Sequence, residues 1–132
     1  MNKRILIVDD EESVLNTLKR LFRNKPYDIY TATGGEEGLA LLEQHSVELI
    51  ISDMRMPKMD GAEFLCLAKQ KCPMTERILL TGFSDMESTI KAINDAGIFG
   101  YLSKPWDVAQ LLSLVESALQ QTHKNKLKNR TL

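Results

Sequence analysis

The chain has 132 residues, of which 43% are hydrophobic, 27% charged and 6% aromatic, an ordinary globular composition for one core that needs no disulfide or metal staple. Its formal charge is −1, but Lys124, Lys126, Lys128 and Arg130 crowd into residues 121–132 with no acid beside them, so residues 1–120 carry a negative excess and make a poor nucleic-acid footprint. Cys66 and Cys72 stand without ligand-spaced partners, which argues against a disulfide framework or zinc site, and no apolar run nears the roughly 20 residues of a membrane span; a reducing cytoplasm is the expected location.

Arg4 to Val8 contains ILIV without polar alternation and reads as a strand covered on both faces. Val14, Leu15, Leu18, Leu21 and Phe22 follow at helical spacing. Tyr27 to Ala32 is a more mixed strand, as an edge would be, and Leu39, Leu41 and Leu42 follow it. Glu48 to Ser52 is a second covered strand, with Phe64, Leu65 and Ala68 in the next helix. Arg77 to Thr81 precedes Met86, Ile90 and Ile93, and Ile98 to Leu102 precedes Val108, Leu111, Leu112, Val115 and Leu119. Strict alternation of strand and helix predicts an α/β fold, a parallel sheet with helices on both faces. No repeat or Gly/Ser linker interrupts residues 1–120. The closing stretch QTHKNKLKNRTL loses the apolar period, so residues 121–132 read as a frayed helix end or the start of a linker to another domain.

In an open parallel sheet, ligands bind beyond the carboxyl ends of the strands. Those ends carry Asp9 and Asp10 after the first strand, Asp53 at the third, Thr81 at the fourth and Lys104 with Pro105 after the fifth. Clustered carboxylates stay ionised only beside positive charge. One lysine and a divalent cation would balance three of them, and Mg²⁺ suits such a site because it takes oxygen ligands at about 2.0–2.1 Å and shares its shell with phosphate. A carboxylate beside that metal can attack phosphorus, and Asp53 is the candidate.

Plainer readings exist for single residues. Acids at Asp9 to Glu12 favour a helix N-terminus by themselves, and Asp60 reads as a helix cap. Gly34, Gly35 and Gly38 lack the remaining residues of a phosphate loop and read as a turn and helix start. Met54, Met56 and Met59 read as loop packing, and His45 and His123 as lone, solvated side chains.

Four strings in order, VDDE at Val8 to Glu11, DMRMPKMDG at Asp53 to Gly61, LLTG at Leu79 to Gly82 and YLSKPW at Tyr101 to Trp106, resemble the receiver domain of two-component response regulators, the family of the chemotaxis response regulator. The resemblance covers residue 4 to about 120. It implies a flavodoxin-like (βα)5 fold with strand order 2-1-3-4-5, and phosphorylation of Asp53 by a histidine kinase or phosphotransfer protein. It also implies Mg²⁺ held by Asp9, Asp10, Asp53 and the backbone carbonyl of Arg55, a switch hydroxyl at Thr81 and a phosphoryl-pairing ammonium at Lys104. Lys104-Pro105 becomes a candidate cis peptide, Tyr101 a switch aromatic, and Arg55 and Phe83 the positions that tune phosphoryl lifetime.

The same resemblance implies a signalling switch that alters the surface of the fourth helix, fifth strand and fifth helix to control an output domain, with a homodimer through that surface, to which Leu114 and Ala118 would add. The stretch from Leu80 to Asp107 resembles receivers joined to HD-GYP cyclic-di-GMP phosphodiesterase domains; a DNA-binding output, or none, is the alternative. Two other functions compete: a degenerate receiver acting only as an interaction module, against which the complete residue set argues, and a metal-dependent phosphohydrolase. Such hydrolases carry a second Asp two residues after the nucleophile, where this chain has Arg55.

Overall fold

A computed structural model describes residues 2–130. The chain runs β1 (Lys3–Val8), α1 (Glu12–Leu21), β2 (Tyr27–Ala32), α2 (Gly35–Gln44), β3 (Leu49–Asp53), α3 (Gly61–Lys71), β4 (Glu76–Thr81), a 3-10 turn (Phe83–Asp85), α4 (Met86–Ala96), β5 (Gly100–Ser103) and α5 (Val108–Arg130). The strands form one parallel sheet in the order β2-β1-β3-β4-β5, the doubly wound arrangement predicted from the alternation, with Tyr27–Ala32 at an edge.

Side chains alternate across a strand, and here the alternation sorts the core into two layers. Ile5, Ile7, Leu49, Ile51, Ile78 and Leu80 face α1 and α5, meeting Leu15, Leu18, Leu111 and Val115. Leu6, Val8, Ile50 and Leu79 face the other way, against Phe64, Leu65 and Ala68 of α3 and Ala92 and Ala96 of α4. Ile5–Val8 and Leu49–Ile51 are fully covered, which is why neither run shows polar alternation.

Three details depart from the sequence reading. The apolar residues of α4, Met86, Ile90 and Ile93, are exposed, and the helix packs through the small residues Thr89, Ala92 and Ala96 instead. Ala118 is fully buried in the α5 layer and Leu114 is half-buried against it, so Ala118 offers nothing to a dimer. His45 is not solvated by itself: its ring stacks on Tyr30 with centroids 4.6 Å apart. The described part of the basic tail is helix, since α5 continues to Arg130; Thr131 and Leu132 lie outside the described residues.

The added turns of α5 are docked by polar contacts. Buried Thr122 accepts a hydrogen bond from the Glu76 amide at 2.9 Å. The Asn125 amide donates to the Met74 carbonyl and the Glu76 carboxylate at 3.0 and 2.7 Å. None of the described helices is long and apolar enough to cross a membrane.

Candidate functional site

The strand order brings the carboxyl ends of β1, β3, β4 and β5 side by side, and backbone bonds carry the pairing one step past the strands. Asp9 donates to the Ala32 carbonyl at 3.1 Å, Met54 to Leu80 at 3.0 Å and Lys104 to Thr81 at 2.8 Å. Rigid main chain therefore holds three of the site residues before any side chain acts. Asp9 is anchored further by its carboxylate, which accepts the Glu11 amide at 2.9 Å as α1 begins.

Asp9 and Asp53 are buried and Asp10 is exposed. Each offers a carboxylate oxygen, and those oxygens lie within 4.8 Å of one another. The Lys104 ammonium reaches in from the β5 end to 2.7 Å from Asp53 Oδ1 and 3.4 Å from Asp9 Oδ2. Burial pushes the Asp53 carboxyl above the usual carboxylate range, its bonds to Lys104 pull it back, and the Asp10 charge adds to the rise. Asp9 is raised as well, chiefly by burial, with the Asp53 charge adding to it. Burial works against the charged Lys104, yet its bonds to Asp53 and Asp9 leave its pKa raised. The lysine is thus held as a cation while the acids remain crowded, because three carboxylates face one ammonium. That deficit fits a divalent hard cation, and the donor set, all oxygen, is the kind Mg²⁺ prefers.

The Lys104-Pro105 peptide is cis. Gly61, at the start of α3, donates to the Met54 carbonyl at 2.7 Å, and a Cβ there would lie 2.2 Å from the Asp53 carbonyl oxygen. Only glycine lets α3 begin this close to the end of β3. Asp60 caps the same helix by accepting the Glu63 amide at 2.9 Å. Met54 and Met56 are buried under the loop with Met59 packed beside them. Gly38 in α2 gives its space to Phe64 and Val8, whose atoms would sit 2.9 and 3.1 Å from a Cβ; its role is helix packing, not phosphate binding.

Thr81 ends β4, fully buried. Its hydroxyl lies 2.9 Å from the Thr89 hydroxyl of α4, which in turn donates to the Asp85 carbonyl at 2.8 Å. Arg55, on the loop after β3, extends an exposed guanidinium to the buried Asp85 carboxylate at 2.7 Å. Tyr101 is 38% exposed on β5. Phe83 lies in the 3-10 turn; its side chain lies outside the described residues.

Asp85 and Thr89 escaped the sequence reading. Their places depend on the path of the turn after β4, and the sequence carries no local signal for it. Arg77 also went unnoticed, although a charge inside the β4 run ERILLT is unusual. It is buried, and its guanidinium donates to the Ala96, Gly97 and Thr75 carbonyls at 3.2, 3.1 and 2.7 Å.

A family model of the response regulator receiver domain matches residues 5–116. The hydrogenase transcriptional regulatory protein HoxA of Cupriavidus necator is 34% identical over 116 residues, 88% of this chain and 24% of that protein. The DNA-binding transcriptional regulator NtrC of Salmonella typhimurium is 36% identical over 115 residues, 87% of this chain and 24% of that protein. The chain spans about a quarter of the length of these relatives. Among solved structures, the signal receiver domain of an HD domain-containing protein from Pseudomonas fluorescens superposes with a TM-score of 0.91 at 40% identity, covering 94% of this chain and 99% of that one. A structure of an adenylate cyclase from Rhodopirellula baltica gives 0.93 at 32% identity, covering 99% and 97%. Fold, strand-end residues and relatives agree: this chain belongs to the receiver domain family of two-component response regulators.

Proposed function

We propose that Asp53 is the phosphoacceptor of this receiver. The observation that carries the reading is the Lys104 ammonium 2.7 Å from Asp53 Oδ1, beside two further carboxylates that share the pocket. A carboxylate oxygen of Asp53 attacks the phosphorus of a phosphohistidine on a kinase or phosphotransfer partner. The P–O bond forms as the P–N bond breaks, and the bonding pair leaves with the imidazole nitrogen. Lys104 already lies between Asp53 and Asp9 and pairs with an oxygen of the transferring group; Thr81 donates its hydroxyl to another. Asp9, Asp10, Asp53 and the Arg55 carbonyl are the groups that would hold Mg²⁺, which when bound neutralises charge on the phosphoryl oxygens.

The remaining assignments belong to the same reading. Residues 1–120 form the phosphoacceptor domain, and residues 121–132 lead toward an output in this or another chain. Likeness to the receiver of an HD domain-containing protein supports an output of the HD-GYP type. Tyr101 turns inward when Thr81 moves, and Arg55 and Phe83 slow loss of the phosphoryl group. The exposed face of Met86, Ile90 and Ile93 with Tyr101 supports docking or dimer formation there. The chain acts as a cytoplasmic switch on its own aspartate and turns over no separate substrate.

The test is intact mass after incubation with a small phosphodonor, with and without Mg²⁺, on wild type and Asp53→Asn. One added phosphoryl group, absent without the metal and absent in the variant, is the expected result. Labelling that persists in Asp53→Asn overturns the assignment.

A further inference from the structure

Helix α4 is held to the rest of the protein differently at its two ends. At the carboxyl end, Gly97 terminates the helix with φ 57°, and the Arg77 guanidinium donates to the last carbonyls, Ala96 and Gly97. That guanidinium is buried in β4 and complements the negative end of the helix dipole. At the amino end, among the described residues, two side-chain contacts come from the acidic pocket. Arg55 Nε donates to Asp85 Oδ1 at 2.7 Å, and the Thr81 and Thr89 hydroxyls are 2.9 Å apart.

The second contact has a defined polarity. A hydroxyl carries one proton, and that of Thr89 is committed to the Asp85 carbonyl at 2.8 Å. Thr81 is therefore the donor to Thr89, and it cannot offer the same proton to a phosphoryl oxygen without releasing α4. The first contact has a parallel property. Asp85 occupies the N-cap position of α4, yet its side chain caps no helix amide; the carboxylate is buried and engaged by an arginine whose own side chain is 72% exposed. An exposed guanidinium two residues beyond Asp53 can change partners at little cost. A phosphoryl group, with roughly −1.5 to −2 charge and three acceptor oxygens, offers it a stronger, bidentate site.

We propose that the Arg55–Asp85 ion pair is a latch on the amino end of α4, set beside the contact of the switch hydroxyl Thr81 with Thr89. On phosphorylation Arg55 exchanges Asp85 for the phosphoryl group, which frees the amino end of α4 while Arg77 holds the other end. The exchange rests on Asp53 being the phosphoacceptor; the latch in the resting protein does not. Arg55 is thus a positioning residue for α4, a role separate from shielding the phosphoryl group from water.

Residue-resolved hydrogen exchange tests both parts. In the unphosphorylated protein, Arg55→Ala speeds exchange at the Ile90 and Lys91 amides roughly tenfold, the scale of a hydrogen bond to a charged group. Ala96 and the β1 amides stay at wild-type rates. Asp85→Asn has a similar effect, Arg55→Ala adds nothing further in that background, and Arg55→Lys restores part of the protection. Thr89→Val loosens the same two amides by the other contact. Unchanged exchange at Ile90 and Lys91 in Arg55→Ala, or equal acceleration throughout the chain, overturns the latch.

For the exchange of partners, the wild type and Arg55→Ala are compared before and after a small phosphodonor with Mg²⁺. Phosphorylation brings the wild-type Ile90 and Lys91 rates toward those of Arg55→Ala, whose own rates rise less. Equal fold-changes in the two proteins overturn the exchange. A chain that takes up no phosphoryl group refutes the reading of Asp53 and the exchange with it, while the resting latch is decided by the first comparison.

Discussion

Gly61→Ala is a small perturbation of the acidic pocket, because it adds one methyl group outside the pocket and removes none of its side-chain atoms. Its Cβ would lie 2.2 Å from the Asp53 carbonyl oxygen and 2.9 Å from Met54 Cα. Ordinary contact between such atoms needs roughly 3.5 Å, so the start of α3 or the end of β3 must yield by about 1 Å. Both obstacles are backbone, and no rotamer change relieves them. Overpacking of this kind costs about 1–3 kcal/mol. Its effect on chemistry is larger, since the backbone that moves carries Asp53, and a displacement of about 1 Å at a reacting group costs on the order of 10²-fold in rate. Two assays read the two effects: urea unfolding for stability, and the initial rate of Mg²⁺-dependent phosphorylation by a small donor followed by intact mass. Gly34→Ala is the matched control, because nothing lies within 4 Å of its Cβ and its φ of −166° suits alanine; it should unfold within about 0.5 kcal/mol of wild type and label at the same rate. A Gly61→Ala protein that labels within threefold of wild type would refute the claim that this approach of α3 positions Asp53.

Arg77→Met removes the donor to three carbonyls in a buried setting and should cost about 2–4 kcal/mol in urea unfolding; a loss under 1 kcal/mol would show that water replaces the guanidinium. Lys58, in the loop after β3, holds φ at 70° with an exposed side chain, so Lys58→Gly should raise stability by about 0.5–1 kcal/mol, read from the urea midpoint; destabilisation would refute that strain. Asp9 has a folded pKa above its ordinary value, so the folded state binds its proton more tightly than the unfolded chain, and ionised Asp9 lowers stability at neutral pH. Metal-free Asp9→Asn should therefore melt above wild type at pH 7. The gap should close as pH falls through the folded pKa toward the ordinary carboxylate range; a gap that widens on acidification contradicts the sign.

Much of the fold was legible because burial imposes a period on the residues. Ile5–Val8 and Leu49–Ile51 are covered on both faces, and a strand so covered can contain little but apolar side chains. The position of Asp53 was legible for a related reason: it ends a covered run, and the carboxyl ends of a parallel sheet converge. In α4 the apolar spacing marks a helix without marking its buried side. Its buried side is built from Thr89, Ala92 and Ala96, small residues that leave no hydrophobic peak, whereas Ile90 and Ile93 produce the peak and face outward. The docking of the tail was invisible for a similar reason. Thr122 and Asn125 hold it by hydrogen bonds, and a polar side chain with a partner looks in sequence like one in water. Arg55 was identified as a tuning position, but its partner Asp85 depends on the path of the turn after β4, which no local pattern reveals.

The extended α5 also has a mechanical consequence. At about 1.5 Å per residue its 23 residues make a rod of roughly 35 Å, tied in its carboxyl-terminal half by Thr122 and Asn125 as well as by its apolar side. A rotation of about 10° about that attachment would carry the amino end of the rod, about 21 Å away, through roughly 4 Å. Small changes in packing beside the acidic pocket are thus converted into a displacement of a few ångström at the end of the rod, with its stiffness as the gearing.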